Sequence, residues 1–592
     1  MLFDAIRQEI FDQIQAALAH PDELELVLET PPDPRMGDFA FPTFRLAKTL
    51  RKAPPLIAKE LAEKLGQAAS LSKICDVSVA GPYVNFSVKQ QTLLTDVLGS
   101  ILLSGDKLAE KSVKKPETVI LEFSSPNVAK AFNIYHLRST MIGNCLNRVF
   151  RARGFNAVAI NHLGDWGTQY GTLALAYDKW GDENELERRG IEYLVELYVR
   201  INKEIEQNSD LEGRAREYFA KLERGDLEIK KVWEKFVALS LKEFNRTYAR
   251  LNVTFDHFWG ESFYVDKVPA LERLLEEKKL LIESQGAHVV DLEKHAMPPC
   301  IIRKQDGSTI YATRDLAAAI YRQDKFRFSK CVYVVGGEQK LHFAQVFKVL
   351  ELMGYPWAKD CIHVDFGLYR FKDAKMSTRK GNFITMEAVL DQAVDRVKQV
   401  MAEKNTTMPS EERDRCAEII GVGAIVYNDL STDRNTDVNF DLDRVLDFEG
   451  ETGPYIQYAH TRCLGILRNA PLELTTGLSV PELLDLAVAQ PGLQTLAQAA
   501  VKKLSHVEEL DLIRVLAKLP LVLDSVVETY RPSHLATYLI EITKAFNTFY
   551  RAHKVLVEDM ELARARLALV LATQRTLLRA LSLLGMRVPE RM

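Results

Sequence analysis

Three short stretches of this 592-residue chain gather side chains suited to phosphate and guanidinium groups. The first reads Ser124-Ser125-Pro126-Asn127-Val128-Ala129-Lys130-Ala131-Phe132-Asn133-Ile134-Tyr135-His136-Leu137-Arg138-Ser139-Thr140. It follows the apolar run Val119-Ile120-Leu121 and leads into a helical pattern over 136–153. A turn between a strand end and a helix start points backbone N–H groups and the positive end of the helix dipole at an anion. The second stretch is Lys375-Met376-Ser377-Thr378-Arg379-Lys380-Gly381-Asn382, after the strand-like Ile362-His363-Val364 and Phe366-Gly367-Leu368. Three cations on a short Ser/Thr/Gly segment can neutralise charge on a pentacoordinate phosphorus and on departing pyrophosphate. A charge run alone is ordinarily a solvated face; its place downstream of the first segment gives it a chemical reading. The third stretch is Tyr311-Ala312-Thr313-Arg314-Asp315, with Glu338-Gln339 after the apolar run 331–335. If Tyr311 opens a helical turn, Tyr311 and Asp315 project from one face, four residues apart. A carboxylate beside a phenol at a strand end suits the donor fork of a planar guanidinium.

The elements that must hold these groups read as follows. Short apolar runs at 119–123, 157–160 and 331–335 alternate with helical patterns at 136–153 and 341–352, which predicts parallel βαβ units over about 113–390. Charged, helix-rich sequence over about 185–290 interrupts them as an insertion. Residues 1–112 form a separate N-terminal module: Phe3, Ile6, Ile10, Ile14 and Leu18 recur at helical spacing, and Tyr83 to Val88 alternate as a strand after the turn Ala80-Gly81-Pro82. The lysine-rich stretch 107–115, ending at Pro116, reads as a linker. From 391 to 592 the pattern is helical, with long amphipathic stretches at 535–549 and 562–584, which predicts an all-α bundle. Such a length exceeds one core. A hydrophobic fraction of 47% and a charged fraction of 27% are those of a globular protein, and no apolar run is long enough to span a bilayer. The acidic start, with Asp4, Glu9 and Asp12, fits neither a secretory signal nor a transit peptide, so the cytoplasm is expected. Seven scattered cysteines without a Cys-x-x-Cys pair predict reduced thiols and no structural metal. The net charge of −4 leaves a nucleic-acid partner open, since only the facing surface has to be basic.

Together the segments resemble the class I aminoacyl-tRNA synthetases in their arginyl-tRNA synthetase form. The 124–140 segment is similar to the first signature of that family, with Asn133-Ile134-Tyr135-His136 where the family reads His-x-Gly-His. The 375–382 segment is similar to the second, whose core is Lys-Met-Ser-Lys. Gly164-Asp165-Trp166-Gly167-Thr168-Gln169-Tyr170-Gly171 and the block 450–462, with Tyr455, Gln457 and Arg462, extend the likeness, as do Phe546 to Tyr550 and the terminal 589–592. The resemblance implies a Rossmann-like parallel-sheet catalytic domain, an α+β N-terminal domain on the tRNA elbow and an α-helical anticodon-binding domain. It implies arginine binding by Asn127, Glu261, Tyr311, Asp315 and Gln339, and catalysis by Lys130, Asn133, His136 and Lys375. ATP, carrying Mg²⁺, is expected on Ser125, Tyr135, His136, His363, Phe366, Gly367, Leu368, Lys375, Met376 and Ser377. tRNA is expected on Tyr83, Asn85, Arg379, Lys380, Tyr455, Gln457 and Arg462. In such a frame the partners are tRNA(Arg), L-arginine and ATP, and the chain is a monomer. Asn133 carries no imidazolium charge, and the Tyr135 phenol is expected to fill the gap that glycine leaves for adenine. Two functions follow: an arginine–tRNA ligase, or a diverged paralogue with impaired ATP binding that holds arginine or arginyl-tRNA in a regulatory or specialised biosynthetic role.

Overall fold

The helical spacing at the N-terminus folds as helix α1 (Phe3–Ala17), with Phe3, Ile6, Ile10 and Ile14 buried. The computed structural model describes residues 2–18, 27–31, 33–208, 210–305, 307–371, 385–404 and 408–592. Helix α2 (Pro54–Gly66) packs with α1 on an antiparallel sheet of β1 (Phe39–Pro42), β2 (Cys75–Ala80) and β3 (Tyr83–Val88). The strand expected over 83–88 is β3, the central one.

The βαβ alternation produces a five-stranded parallel sheet. Its strands are β4 (Thr118–Glu122), β5 (Asn156–Asn161), β6 (His257–Phe258) and, beyond a separate antiparallel sheet of β7 (Leu281–Ser284), β8 (Ala287–Val290) and β9 (Cys300–Arg303), β10 (Lys330–Val334) and β11 (Cys361–Val364). Successive β4 residues serve opposite cores: Val119 and Leu121 pack on one face, Ile120 on the other. That is why the strand reads as an unbroken apolar run. The spatial order β11-β10-β4-β5-β6 turns the chain to one side after β4 and to the other side at β10. In such sheets ligands sit outside the carboxyl ends of the strands at this reversal point. The 124–134 loop leaves β4 there, and 335–339 leaves β10 there.

Helix α3 (Tyr135–Ala152) joins β4 to β5, and α4 (Thr168–Trp180) follows β5. The helix-rich insertion expected over about 185–290 begins as four helices ending in α5 (Leu227–Arg250), but residues 257–258 inside that range are the sheet's fifth strand. A two-residue strand is too short to show a period. Helix α6 (Tyr311–Phe326) precedes β10, and α7 (Lys340–Leu352) connects β10 with β11. The strand expected at Phe366 to Leu368 falls instead on β12 (Tyr369–Phe371), which pairs in parallel with β13 (Val438–Phe440). Gly367 N donates to Arg434 O at 2.8 Å, so that stretch bonds as a loop.

The rest is helical: α8 (Met386–Lys404), α9 (Ser410–Ser431), α10 (Gly453–Arg468), α11 (Ser533–Ala552) and α12 (Met560–Leu583) are its main members. One carboxylate, Asp524, joins three parts of the chain. It meets Arg7 of α1 at 3.3 Å and Arg153, just past α3, at 2.8 Å; Arg153 also reaches Asp4 at 3.3 Å. Among the described residues no helix is long and apolar enough to cross a membrane.

Candidate active site

The loop after β4 is held in an uncommon backbone form. Ser124, Ser125 and Ala129 have φ of 73°, 48° and 59°, left-handed values that cost non-glycine residues energy and persist where the surroundings fix them. Here they are fixed. Ser124 N donates to Ser139 Oγ at 2.9 Å, and Ser139 Oγ donates to Val334 O at the end of β10, at 2.6 Å. The Ser124 and Tyr248 hydroxyls are 2.7 Å apart, and Ala129 N donates to Ser240 Oγ at 2.9 Å. The Ser125 hydroxyl is buried and has no hydrogen-bond partner among the described residues. Asn127 lies against Gly164, with Val128 N donating to Gly164 O and Gly164 N to Pro126 O, both at 3.1 Å. A Cβ on Gly164 would stand 2.2 Å from Asn127 Oδ1, so a side chain there would push the Asn127 amide out of its present position.

At the start of α3, His136 Nδ1 accepts a hydrogen bond from Asn133 N at 3.1 Å, and its ring packs 5.0 Å from Phe132. Burial, reinforced by the charge of Lys130, lowers its pKa to about 4, against the opposing Asn133 bond. The ring is therefore neutral, with its proton on Nε2. Asn133 Oδ1 accepts from Tyr135 N, the first N–H of α3, at 3.1 Å. Tyr135, expected to fill the space for adenine, opens α3 with its side chain 40% exposed. Lys130 is exposed. Phe132 O accepts from Met386 N at 2.8 Å, and Asn133 bridges Thr385, so the first signature touches the chain just beyond the second. Lys375, Met376, Ser377, Arg379 and Lys380 lie outside the described residues.

Tyr311 is the first residue of α6, as the guanidinium reading requires. Asp315, one turn on, accepts from His342 Nε2 of α7 at 2.6 Å, and His162 Nε2 lies 3.6 Å from its other oxygen. Burial raises the Asp315 pKa, but the bond and charge of His342, with His162 and Arg322 behind it, bring it below the ordinary value. Glu261 comes from the turn after β6. Asp165 fixes that turn by accepting from Ser262 N at 2.8 Å and Ser262 Oγ at 2.6 Å. A Cβ on Gly260 would come within 2.4 Å of the Asp165 carboxylate. Burial pushes Glu261 up to about 8, with Arg314 opposing and the charges of Asp315 and Asp165 adding. Glu261, buried, and Asp315, partly buried, feel each other's charge beside the exposed Tyr311 ring, a grouping of acceptors suited to a guanidinium. Gln339, in the turn before α7, is exposed on the β10 side of the crevice.

The opposite end of the crevice is backbone-rich. His363 Nε2 lies 2.9 Å from Val335 O, and Gly337 N donates to Phe366 O at 3.3 Å. Leu368 N donates to Asp437 Oδ1 at 2.8 Å, and the Leu368 side chain is 42% exposed. Gly367 packs on Thr436, where a Cβ would meet backbone at 2.7 Å. Beneath it, buried Arg138 donates to Asp433 O at 2.8 Å and lies 3.6 Å from Asp429, whose Oδ1 accepts from Tyr369 Oη at 2.5 Å. Among the described residues no three His, Cys, Asp or Glu side chains are grouped to hold a metal ion.

The expected RNA contacts divide. Tyr83 is half-buried, edge-on to Phe44 at 5.6 Å. Asn85 is corrected: it is 3% exposed on the central strand β3, between Ala40 and Ser78, and not at the surface. Gln457 is corrected likewise. It is fully buried and its Nε2 donates to Arg587 O at 2.9 Å, tying α10 to the C-terminus. Tyr455 Oη accepts from Asn547 Nδ2 at 2.8 Å. Arg462 lines an open cavity of about 840 Å³, where its guanidinium is 4.7 Å from the Tyr458 ring and 5.2 Å from Tyr550. Tyr458 and Tyr550 were not expected as site residues, although Tyr458 stands one turn before Arg462 in sequence. His162, Asp165, Arg314 and His342 were missed too; all but His342 lie inside or beside segments quoted for their motifs.

Comparison with known proteins matches the whole organisation. The model of the class I (R) tRNA synthetase catalytic domain matches residues 97–442, that of the arginyl-tRNA synthetase N-terminal domain 4–88, and that of the DALR anticodon-binding domain 456–592. Arginine–tRNA ligase of Clostridioides difficile strain 630 is 45% identical over 571 residues, 96% of each chain. That of Halothermothrix orenii is 42% identical over 591 residues, 100% of this chain and 99% of its own. In fold, the chain is similar to the arginyl-tRNA synthetases of Plasmodium falciparum (TM-score 0.80, 24% identity, 99% and 98% covered) and Thermus thermophilus (TM-score 0.79, 24%, 99% and 100%). None of these likenesses supports a non-adenylating paralogue. With its parallel-sheet core, its two flanking modules and relatives above 40% identity along nearly all its length, the chain belongs to the arginyl-tRNA synthetase family of class I.

Proposed function

We propose that the chain is an arginine–tRNA ligase, activating L-arginine with ATP and passing the arginyl group to the terminal ribose of tRNA(Arg). The observation that carries this reading is the pair of carboxylates, buried Glu261 and partly buried Asp315, beside Tyr311 at the reversal point of the sheet, next to the strained loop after β4. The pocket holds the guanidinium, and Asn127 and Gln339 take the α-amino end. The arginine carboxylate then faces the α-phosphate of ATP, which brings its own Mg²⁺. Ser125 Oγ, lacking a partner, and neutral His136 Nε2–H donate to the phosphates, with Lys130 and Lys375 as charge. Phe366, Gly367, Leu368 and His363 form the bed for the base. No protein nucleophile is needed; positioning and charge neutralisation carry both steps. In the C-terminal module the Tyr458–Arg462–Tyr550 cavity receives an unpaired anticodon-loop base, a stacking mode suited to RNA loops.

Arginine-dependent exchange of pyrophosphate into ATP, measured with tRNA present, tests the reading. Exchange is expected in the native chain. In Asp315→Asn the arginine KM should rise by roughly 30-fold or more, the cost of removing one partner of a buried charge pair, with the ATP KM unchanged. No arginine-dependent exchange in the native chain would refute it.

A further inference from the structure

One guanidinium already lies in the pocket, and it belongs to the chain. Arg314 Nε donates to Glu261 Oε2 at 2.6 Å, with both residues buried. Its guanidinium carbon stands 5.2 Å from the centre of the Tyr311 ring, and its Nη1 faces Thr309 Oγ1 at 3.3 Å. Carboxylate, phenol and neighbouring oxygen are the same kinds of group that the pocket offers a substrate. The Nε bond is a single-point contact rather than the two-pronged fork of an arginine–carboxylate pair. Asp315 next door has its own partner in His342 Nε2, at 2.6 Å, which raises the pKa of that histidine. Each carboxylate of the pocket thus has a partner within the protein before any ligand arrives.

This arrangement answers a physical requirement. Neighbouring carboxylates in a dry pocket cannot all stay ionised unless each has a cation. Glu261 feels the charges of Asp165, from the loop after β5, and of Asp315; Tyr170 of α4 and Tyr311 of α6 also face it. Against these, Arg314 is the cation in direct contact with it.

We infer that Arg314 is a positioning residue that determines substrate specificity: by holding Oε2 of Glu261 it fixes that carboxyl group and favours its anionic form, so that the pocket selects a guanidinium over a neutral urea of the same shape. The inference rests on reading the pocket as an arginine site. Arg314 opposes the burial that pushes the Glu261 pKa up to about 8, so removing it moves that pKa further up.

The test uses the full chain with tRNA, measuring pyrophosphate exchange from pH 6.5 to 9.5 with arginine as substrate and citrulline as competitor. In Arg314→Met the arginine KM at pH 7.5 is expected to rise at least 10-fold, with the ATP KM within two-fold of native. Part of that loss should be regained as pH rises to 9.5, and the preference for arginine over citrulline should fall by a similar factor. Arg314→Lys should keep part of the preference. Unchanged arginine KM and unchanged discrimination in Arg314→Met would overturn the inference while leaving the pocket's assignment intact. So would an equal loss toward arginine, ATP and tRNA that neither pH nor lysine repairs. Should the methionine variant fail to fold, Arg314→Lys decides: its arginine KM and its preference for arginine over citrulline should both worsen with the ATP KM within two-fold of native, and native values for both would overturn the inference. A native chain with no response to arginine sinks both readings.

Discussion

Replacing His136 by alanine or glutamine tests how the chain meets the phosphates of ATP. Nδ1 is occupied by the Asn133 N–H at 3.1 Å, which leaves Nε2–H as the outward donor, and burial holds the pKa at about 4. At pH 7 an ordinary histidine with a pKa near 6.5 is ~24% protonated, whereas this one is ~0.1% protonated. Charging the ring in place at pH 7 would cost about 4 kcal/mol, so His136 acts as a neutral donor and not as an imidazolium. A hydrogen bond to a charged acceptor contributes about 1.5–3 kcal/mol. Removing it should lower kcat/KM for ATP by roughly 10- to 150-fold in tRNA-supported pyrophosphate exchange. Taking the ratio of native to variant activity at each pH cancels every other titrating group. The ratio should be constant from pH 5.5 to 8.5. A ratio that climbs several-fold as pH falls through 6.5 would mean that the protonated ring does the work, and the reasoning from burial would be wrong.

Changing Tyr135 to glycine removes a surface ring from the mouth of α3; in the double variant with Asn133→His the ATP KM should fall while the arginine KM holds, and an unchanged ATP KM would put the ring outside the nucleotide's path. Asp429→Asn removes the counter-charge of the buried Arg138 guanidinium, which keeps its bonds to backbone carbonyls, and should lower unfolding free energy by about 3 kcal/mol in denaturant titration, whereas Tyr369→Phe should cost only about 1–2 kcal/mol. His460, 2% exposed, is held down to about pKa 4 by burial and then by Arg468. Its folded value lies below its unfolded one, so its contribution is complete above pH 6.5 and disappears as pH falls toward 4. The native chain should lose up to about 3 kcal/mol across that window, and His460→Gln should flatten the loss by that amount.

The segments that were legible in the sequence are those whose function is contiguous. A phosphate loop needs its residues in one turn, and Tyr311 and Asp315 need one helical turn, so spacing alone exposes them. The β4 and β10 runs were legible because strands buried on both faces are apolar throughout. Glu261 follows a two-residue strand beyond the helical insertion, and only the resemblance pointed to it. The β7–β8–β9 sheet was missed because Glu283 and His288 interrupt its apolar alternation. Asn85 and Gln457 show the limit from the other side. A polar side chain does not announce which face it takes, and these two satisfy the interior. Arg314 and His342 became meaningful only once the fold brought them to Glu261 and Asp315.

The meeting of Arg7, Arg153 and Asp524 has a bearing on how the protein can be dissected. Three segments separated by hundreds of residues share one anion, so none of them is electrically self-sufficient. A fragment cut after the catalytic segment leaves the guanidinium of Arg153, itself only 4% exposed, without its nearest counter-charge. The modules should therefore melt together, as one cooperative unit, rather than behave as beads on a string.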